Sequence, residues 1–568
     1  MATKLHTLPR ARTRLEPTFH VDVKALEADL RSAISGEVRF DAGDRALWAT
    51  DASNYRQIPL GVVLPRDADD VVRAMEIARR HRAPVFPRGG GTSLAGQCTN
   101  TALVLDFSKY FRGVLEIDTA HRRARVLPGT ILDELRGAAE VHGLTFGPDP
   151  ATHNRCVIGG MLGNNSCGSH SIHAEFEGPG ARTSDNVESL EILTPDGLRM
   201  RVGETSPEEL HRIIAEGGRR GEIYAALLRL RDRYTDQIRD RFPDLLRRVS
   251  GYDLPALLPE NGFHVARALV GSEGTCVTIL EATLSLIPSP RSRVLLVLGY
   301  PNVYEAADHV PELREFRPMA LEGFDDILVG YMRRKGLHAQ DIGLLPEGAG
   351  WLMAEFGGDT IEEARGRAEA VRTALESRQN PPTVRIYDDP AVQHKLWVVR
   401  ESGLGATAFV PGEPITWEGW EDSAVPVEHL GHYLRDFRRL LEKHGYNGAL
   451  YGHFGQGCVH TRIDFDLEST AGIETYRAFT REAAETVTRY GGSLSGEHGD
   501  GQSRGELLPI MFGDELMEAF REFKSIWDPE GRMNPGKLID AYPRDENLRL
   551  GSDRSEERRV GKECRSRW

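Results

Sequence analysis

The sequence predicts a multidomain chain of mixed helices and strands, opening with strand–helix–strand alternation around a glycine-rich loop. Three observations carry this reading. The chain has 568 residues, more than one compact core accommodates. Short apolar runs alternate with helical apolar stripes over the first half. One such run, APVFP, leads directly into PRGGGTSLAGQ, residues 87–97. Three consecutive glycines there cost backbone entropy that something must require.

Taken in order, VDVKALEADLRSAI has helical apolar spacing, and the chain to residue 57 reads as irregular. Residues 1–57 are therefore a helical N-terminal extension. GVVLP is a strand, DADDVVRAMEIARRHRA a helix with an N-cap Asp, and APVFP a second strand. TALVLDF, GVLEIDTAHRRARVLPG and the helix TILDELRGAAEVHG follow, an α/β pattern. VESLEILTPDGLRMRV is a hairpin turning at Asp196-Gly197. The Pro-rich SPRSR near residue 290 marks a boundary, so a first domain spans 58–290 and a second 291–510. Residues 511–540 read as helical, breaking at Asn534-Pro535-Gly536, within a C-terminal part of 511–553.

Composition excludes several classes. Apolar residues are 40% and charged residues 27%, ordinary for a soluble globular protein. The formal net charge of −14 repels phosphate backbones and argues against nucleic acid as a partner. No apolar run reaches the roughly 20 residues of a membrane span. The N-terminus is basic without an apolar core, unlike a secretory signal. A cytoplasmic location is expected, with at most peripheral association at the inner face of a membrane. Six cysteines include no CxxC, hence no disulfide framework or iron–sulfur ligand run. The last stretch, RSEERRVGKECRSRW (554–568), resembles a sequencing-library adapter read through as coding sequence, and is set aside. Its six Lys/Arg against three Glu give +3, so −14 becomes −17 without it. The expectation follows that the natural chain was cut near Asp553.

Glycines 89, 90 and 91 permit a concave nest of backbone N–H groups for an anion, with Thr92 and Ser93 adding hydroxyls. The spacing is neither GxGxxG nor GxxxxGK[ST]. A second donor-rich patch holds Gly159, Gly160, Asn164, Asn165, Ser166 and Gly168, and a third is GSEGT, Gly271 to Thr275. With RTSDNV (182–187), these stand in the order found in FAD-linked oxidases of the vanillyl-alcohol-oxidase (PCMH) type, which residues 50–540 resemble. The resemblance implies an α+β class: a two-subdomain FAD-binding domain, an α+β substrate (cap) domain and a C-terminal helical return. It implies that Gly89 to Ser93 cradle the FAD pyrophosphate and that Pro87, Arg88 and Gln97 also bind the cofactor. Gly159, Gly160 and Asn164 would approach the flavin and Asp185 and Val277 flank its isoalloxazine or ribityl region, with Pro148, Ser166, Gly168, Val187, Glu273, Gly274 and Asn534 also binding the cofactor. The loop carries no histidine, so non-covalent FAD is expected.

Two further motifs carry chemistry. GHFGQGCVH (452–460) contains His453 and His460, and SGEHGDG (495–501) contains Glu497 and His498. Two imidazoles and a carboxylate could bind a divalent cation with an open position, although this spacing defines no helix face. The stretches resemble GHxGDGNxH and EHG motifs of D-lactate and D-2-hydroxyglutarate dehydrogenases. By that resemblance His453, His460 and Glu497 hold a divalent metal, typically zinc, and His498 is the base. Gln456 and Cys458 depart from the pattern, leaving either an inert buried cysteine or a preference for a softer ion. In KLWVVRES, Arg400 suits a substrate carboxylate, and the family places such an arginine in a matching WxxRE. A KYDxxVP-like stretch of related enzymes reads WEDSAVP here, with Trp420 at the lysine's place.

The resemblance implies oxidation of a D-2-hydroxy acid to the 2-keto acid by hydride transfer to flavin N5. Electrons would pass to a quinone, cytochrome or Fe-S protein, through iron–sulfur clusters expected only in a missing C-terminal part. Two rival readings are a flavin-dependent transferase of the alkylglycerone-phosphate synthase type and a non-catalytic FAD-binding subunit.

Overall fold

The computed structural model describes residues 20–550. The adapter-like segment lies outside the described residues. The first sheet has four strands, ordered Glu37–Arg39, Gly61–Leu64, Leu103–Asp106, Val85–Arg88. The last three are parallel, and Glu37–Arg39 is antiparallel to Gly61–Leu64. Gly61–Leu64 is buried at every position, as a strand covered on both faces must be. Helix Ala68–Arg80 crosses over between parallel strands, its first turn capped by Asp67 accepting from the Asp70 N–H. Val85–Arg88 is the outer strand, so Pro87 costs no ladder hydrogen bond. The glycine-rich loop leaves the sheet from this strand's carboxyl end.

A five-stranded antiparallel sheet follows, ordered Val114–Asp118, Arg123–Val126, Thr278–Ser285, Val187–Leu193, Arg199–Gly203. A seven-stranded antiparallel sheet runs Thr383–Tyr387, Ser292–Tyr300, Gly350–Gly358, Ala320–Asp325, Tyr451–Gly452, Cys458–His460, Asp422–Ala424. Parallel order is thus confined to the first sheet, and the class is α+β.

Two elements differ from their sequence reading. Residues 35–57 are irregular only in part: Glu37–Arg39 pairs into the first sheet and Ala42–Leu47 is helical. A three-residue strand is too short for its period to show. The C-terminal helix is Leu508–Trp527 and does not reach 540. Pro529 disfavours helix at the residue before it, and Asp528 is non-helical. Residues after it return to the first sheet, where Met533 bridges Val85.

His264 caps the short helix Val265–Leu269, its Nδ1 accepting from the Arg267 N–H at 3.3 Å. Burial, then the Arg267 charge, push its pKa down to about 4. Unfolding restores an ordinary value near 6.5, so the unfolded chain binds this proton first. Stability should fall by roughly 3 kcal/mol as pH drops from 6.5 through 4. His264→Asn keeps a capping acceptor without titrating and should flatten that slope in urea unfolding. An unchanged slope would refute the assignment.

Candidate active site

A cavity of about 440 Å³ separates the glycine loop from one end of the seven-stranded sheet. Gly89 to Ser93, Gly160, Asn164 and Ser166 line one wall, and Arg400, His453, His460, Glu497 and His498 the other. A hollow of about 70 Å³ adjoins it through Gly89, Ser93, Gly160 and Asn164, and is lined further by Pro87, Arg88, Gln97, Gly159, Glu273, Gly274 and Val277. The three donor-rich turns therefore meet at one place. Glycine is required at two of the positions. A Cβ on Gly89 would lie 2.4 Å from Val157 Cγ2, and Gly91 has φ +67°.

Five residues expected at the cofactor do not line either space: Pro148, Gly168, Asp185, Val187 and Asn534. Asp185 is taken by Arg182, with Nη2–Oδ1 at 2.7 Å and Nε–Oδ2 at 3.2 Å. Val187 opens strand Val187–Leu193 and is fully buried. The Gly168 carbonyl accepts from Arg247, and its N–H meets Ser171 Oγ at 3.0 Å. Pro148 precedes Asp149, whose carboxylate holds His170. Asn534 clamps other loops: its Nδ2 donates to Gln97 O at 3.1 Å and Glu273 O at 2.8 Å, and its Oδ1 accepts from Asn100. Lys537 is buried between Gln57 and Gln502.

The opposite wall is a dense charge cluster. Glu497 Oε1 lies 3.0 Å from His453 Nε2, 2.9 Å from His460 Nε2 and 3.4 Å from His498 Nε2. Its second oxygen takes Arg247 Nη1 at 2.8 Å. Burial would raise the Glu497 pKa, but His453 and Arg247 hold it well below the ordinary value. His453 Nδ1 is 2.8 Å from Glu322 Oε1, so each end of the ring meets a carboxylate. The rings of His460 and His498 stack at 4.8 Å. Glu421 sits at the Nδ1 ends of both, 3.6 Å from His460 and hydrogen-bonded to His498. Burial would lower the His498 pKa, yet the Glu421 charge carries it well above the ordinary value.

One carboxylate shapes the loop carrying Glu497 and His498. Asp422 Oδ2 accepts the backbone N–H groups of Gly496, Glu497 and His498 at 2.9, 3.1 and 3.0 Å, and the Ser495 hydroxyl. Cys458 Sγ lies 3.3 Å from Asp422 Oδ1, and burial followed by the Asp422 charge push its thiol well up. A thiol so disposed is a poor ligand at neutral pH. Gln456 accepts from Arg247 Nε at 2.8 Å and donates to Glu175 at 2.9 Å.

Arg400 ends helix Pro390–Glu401, its Nη2 lying 2.6 Å from Glu322 Oε2. Its Nε and Nη2 are nevertheless buried without a hydrogen-bond partner. Trp420 is fully buried, with the Arg504 guanidinium 5.5 Å above its ring. Sequence reasoning did not find Arg247, Glu322, Glu421 or Asp422. The last two stood inside the quoted WEDSAVP stretch. Arg247 and Glu322 are single charges in ordinary surroundings, and only their burial marks them.

The donor sets fit the groups they suggest. Nε2 of His453, Nε2 of His460 and an oxygen of Glu497 converge as cation ligands do. Glu322 on the far side of His453 stands where a carboxylate orienting a ligating histidine would. The glycine-lined wall admits a phosphate-bearing cofactor.

Comparison with known proteins places the fold first. Over 91% of this chain and 96% of the other, the structure superposes on p-cresol methylhydroxylase with TM-score 0.62 at 13% identity. Alkyldihydroxyacetonephosphate synthase matches at TM-score 0.59 and 17% identity, covering 90% of this chain and 85% of that one. The class is thus the PCMH-type FAD-binding fold. Residues 59–203 match the family described as FAD binding domain, and 289–538 that described as FAD linked oxidases, C-terminal domain. The chain belongs to the FAD-linked oxidase family. It is 32% identical to D-2-hydroxyglutarate dehydrogenase of Pseudomonas putida, covering 90% of this chain and 51% of that protein. It is 27% identical to D-lactate dehydrogenase of Archaeoglobus fulgidus, covering 89% of this chain and 96% of that protein. The chain spans about half the length of the first of these relatives.

Proposed function

We propose that the chain is an FAD-dependent dehydrogenase that oxidises a D-2-hydroxy acid, of the D-lactate or D-2-hydroxyglutarate kind, to its 2-keto acid. The observation that carries this reading is one cavity holding three things. A guanidinium whose buried Nε has no partner, Arg400, lines it. So do the converging donors of His453, His460 and Glu497. The glycine loop faces both. The names of the two relatives support the same chemistry.

Arg400 binds and orients the acid's carboxylate from a guanidinium whose Nη2 is anchored by Glu322 and whose Nε has no partner. Glu322 fixes both Arg400 and His453, which ties substrate binding to the donor cluster. A divalent cation held by His453, His460 and Glu497, with zinc the expected ion, would polarise the C2 hydroxyl and engage one of the carboxylates that retain the His498 proton. Glu421 on Nδ1 orients His498, whose Nε2 accepts the hydroxyl proton once it has lost its own. FAD, bound without a covalent link, supplies the acceptor for the C2 hydride. Electrons then leave to a quinone, cytochrome or iron–sulfur partner, and the protein works in the cytoplasm or at a membrane face.

The test is anaerobic bleaching of the flavin by a panel of D- and L-2-hydroxy acids, with and without added zinc. D-acids should bleach it, and His498→Ala should abolish bleaching while FAD stays bound. A transferase with no net redox step predicts no bleaching by any acid. Undiminished bleaching in the variant would remove the role of His498.

A further inference from the structure

Resting on the hydroxy-acid reading, we infer that the pocket selects acids with a single carboxylate and a short uncharged side chain, and rejects dicarboxylic ones such as 2-hydroxyglutarate. The charges lining the cavity carry the argument. Among the described residues its wall holds four carboxylates, Asp51, Glu401, Glu421 and Glu497, against two permanent cations, Arg155 and Arg400, and three imidazoles, His453, His460 and His498, which pair with Glu497 and Glu421.

Arg400 is committed to one carboxylate. It is boxed by Glu322 at 2.6 Å and by the Tyr451 ring 5.4 Å away. Arg155 stands on the glycine-loop wall, where its carbonyl would lie 2.7 Å from a Cβ on Gly90, and its Nη1 donates to Asn154 at 3.0 Å. That wall is the cofactor's in the reading above. The other buried arginines nearby face other partners: Arg247 faces Glu497, Arg462 faces Glu418, and Arg504 faces the Asp422 carbonyl through Nη2. None of the three lines the cavity.

Beyond Arg400 the wall continues through Glu401, Leu404 and Tyr451. There the wall offers the Leu404 side chain, the Glu401 carboxylate and the Tyr451 ring with its buried hydroxyl and, among the described residues, no cation besides Arg400. A methyl or ethyl group is accepted there. A second carboxylate would lose its water without a cationic partner and face like charge from Glu401, which is costly in a confined site. The expected discrimination is at least ~100-fold.

The experiment uses the FAD-loaded protein. Anaerobic flavin reduction is compared for D-lactate, D-2-hydroxybutyrate and D-2-hydroxyglutarate. Binding of pyruvate and 2-oxoglutarate is read from the flavin absorbance shift. Both monocarboxylic acids should reduce the flavin at least ~100-fold more efficiently than hydroxyglutarate, and pyruvate should bind more tightly than 2-oxoglutarate. Glu401→Lys changes an exposed side chain and supplies a cation beside Arg400. It should narrow the ratio at least ~10-fold in favour of the dicarboxylic acid. Equal or better reduction by hydroxyglutarate overturns this inference and leaves the dehydrogenase reading standing. If no acid reduces the flavin, the dehydrogenase reading fails. The keto-acid binding ratio then still decides the charge argument, and tighter 2-oxoglutarate overturns it.

Discussion

Asp422→Ala is expected to slow flavin reduction by a hydroxy acid at least ~100-fold and to lower the unfolding free energy by about 3 kcal/mol or more. The Asp422 side chain is buried and is the common acceptor for three consecutive backbone N–H groups, from Gly496 to His498. Without it these donors are stranded away from water, each at a cost of roughly 1 kcal/mol or more. The same loop carries Glu497 and His498, so its shape sets the distances across the donor cluster. Burial alone would raise the Asp422 pKa, but the His498 and His460 charges keep the carboxyl ionised far below its ordinary range. Asp422→Asn retains one acceptor oxygen and should fall between wild type and alanine in both measurements. Denaturant unfolding and stopped-flow bleaching check the two effects. Wild-type reduction in the alanine variant would show that the loop keeps its shape by other means.

His170→Leu is expected to cost about 3 kcal/mol near neutral pH and to weaken substrate binding through Arg400. His170 bridges two parts of the fold. Its Nδ1 is 2.6 Å from Asp149, and its Nε2 is 3.0 Å from Glu355 on the seven-stranded sheet. Its ring lies 5.4 Å from Trp397, whose indole N–H donates to Glu355 at 3.1 Å. Trp397 and Arg400 share helix Pro390–Glu401. Arg136 and Arg293 stand farther off, at 3.7 Å from Asp149 and 3.3 Å from Glu355. Burial would lower the His170 pKa, but the two carboxylates, Asp149 foremost, raise it to about 9.

The folded state therefore binds this proton more tightly than the unfolded chain. Its stabilisation is full below pH 6.5 and is lost as pH rises through about 9. Wild type should lose roughly 3 kcal/mol over that window and His170→Leu should not, as measured by urea unfolding at both ends. KM for the acid should rise in the variant while kcat changes less. Parallel pH slopes would show that the charge is not held as described.

Much of the candidate site was legible as local pattern. The glycine loop, the GG and GSEGT turns and the two histidine motifs are short contiguous stretches whose composition advertises unusual backbone or chemistry. Their convergence was not legible, because more than seventy residues separate Gly89 from Gly160 and more than a hundred separate Gly160 from Gly271. Asp185 shows the limit of a motif. RTSDNV reads as a cofactor contact, yet Arg182, three residues earlier, takes the carboxylate. Arg247 and Glu322 show the converse, since a lone arginine or glutamate looks solvent-exposed until packing buries it between partners.

Local chemistry determined where this backbone can approach a ligand closely, which segments are apolar enough to be strands, and which imidazoles and carboxylates exist to be used. Only the tertiary structure decided which of them meet. The antiparallel register sets Asp422 opposite His460, and that pairing brings the WEDSAVP stretch beneath the Glu497 loop. Charges that distant in sequence acquire meaning from burial, because only away from water does each one need a particular partner at a particular distance.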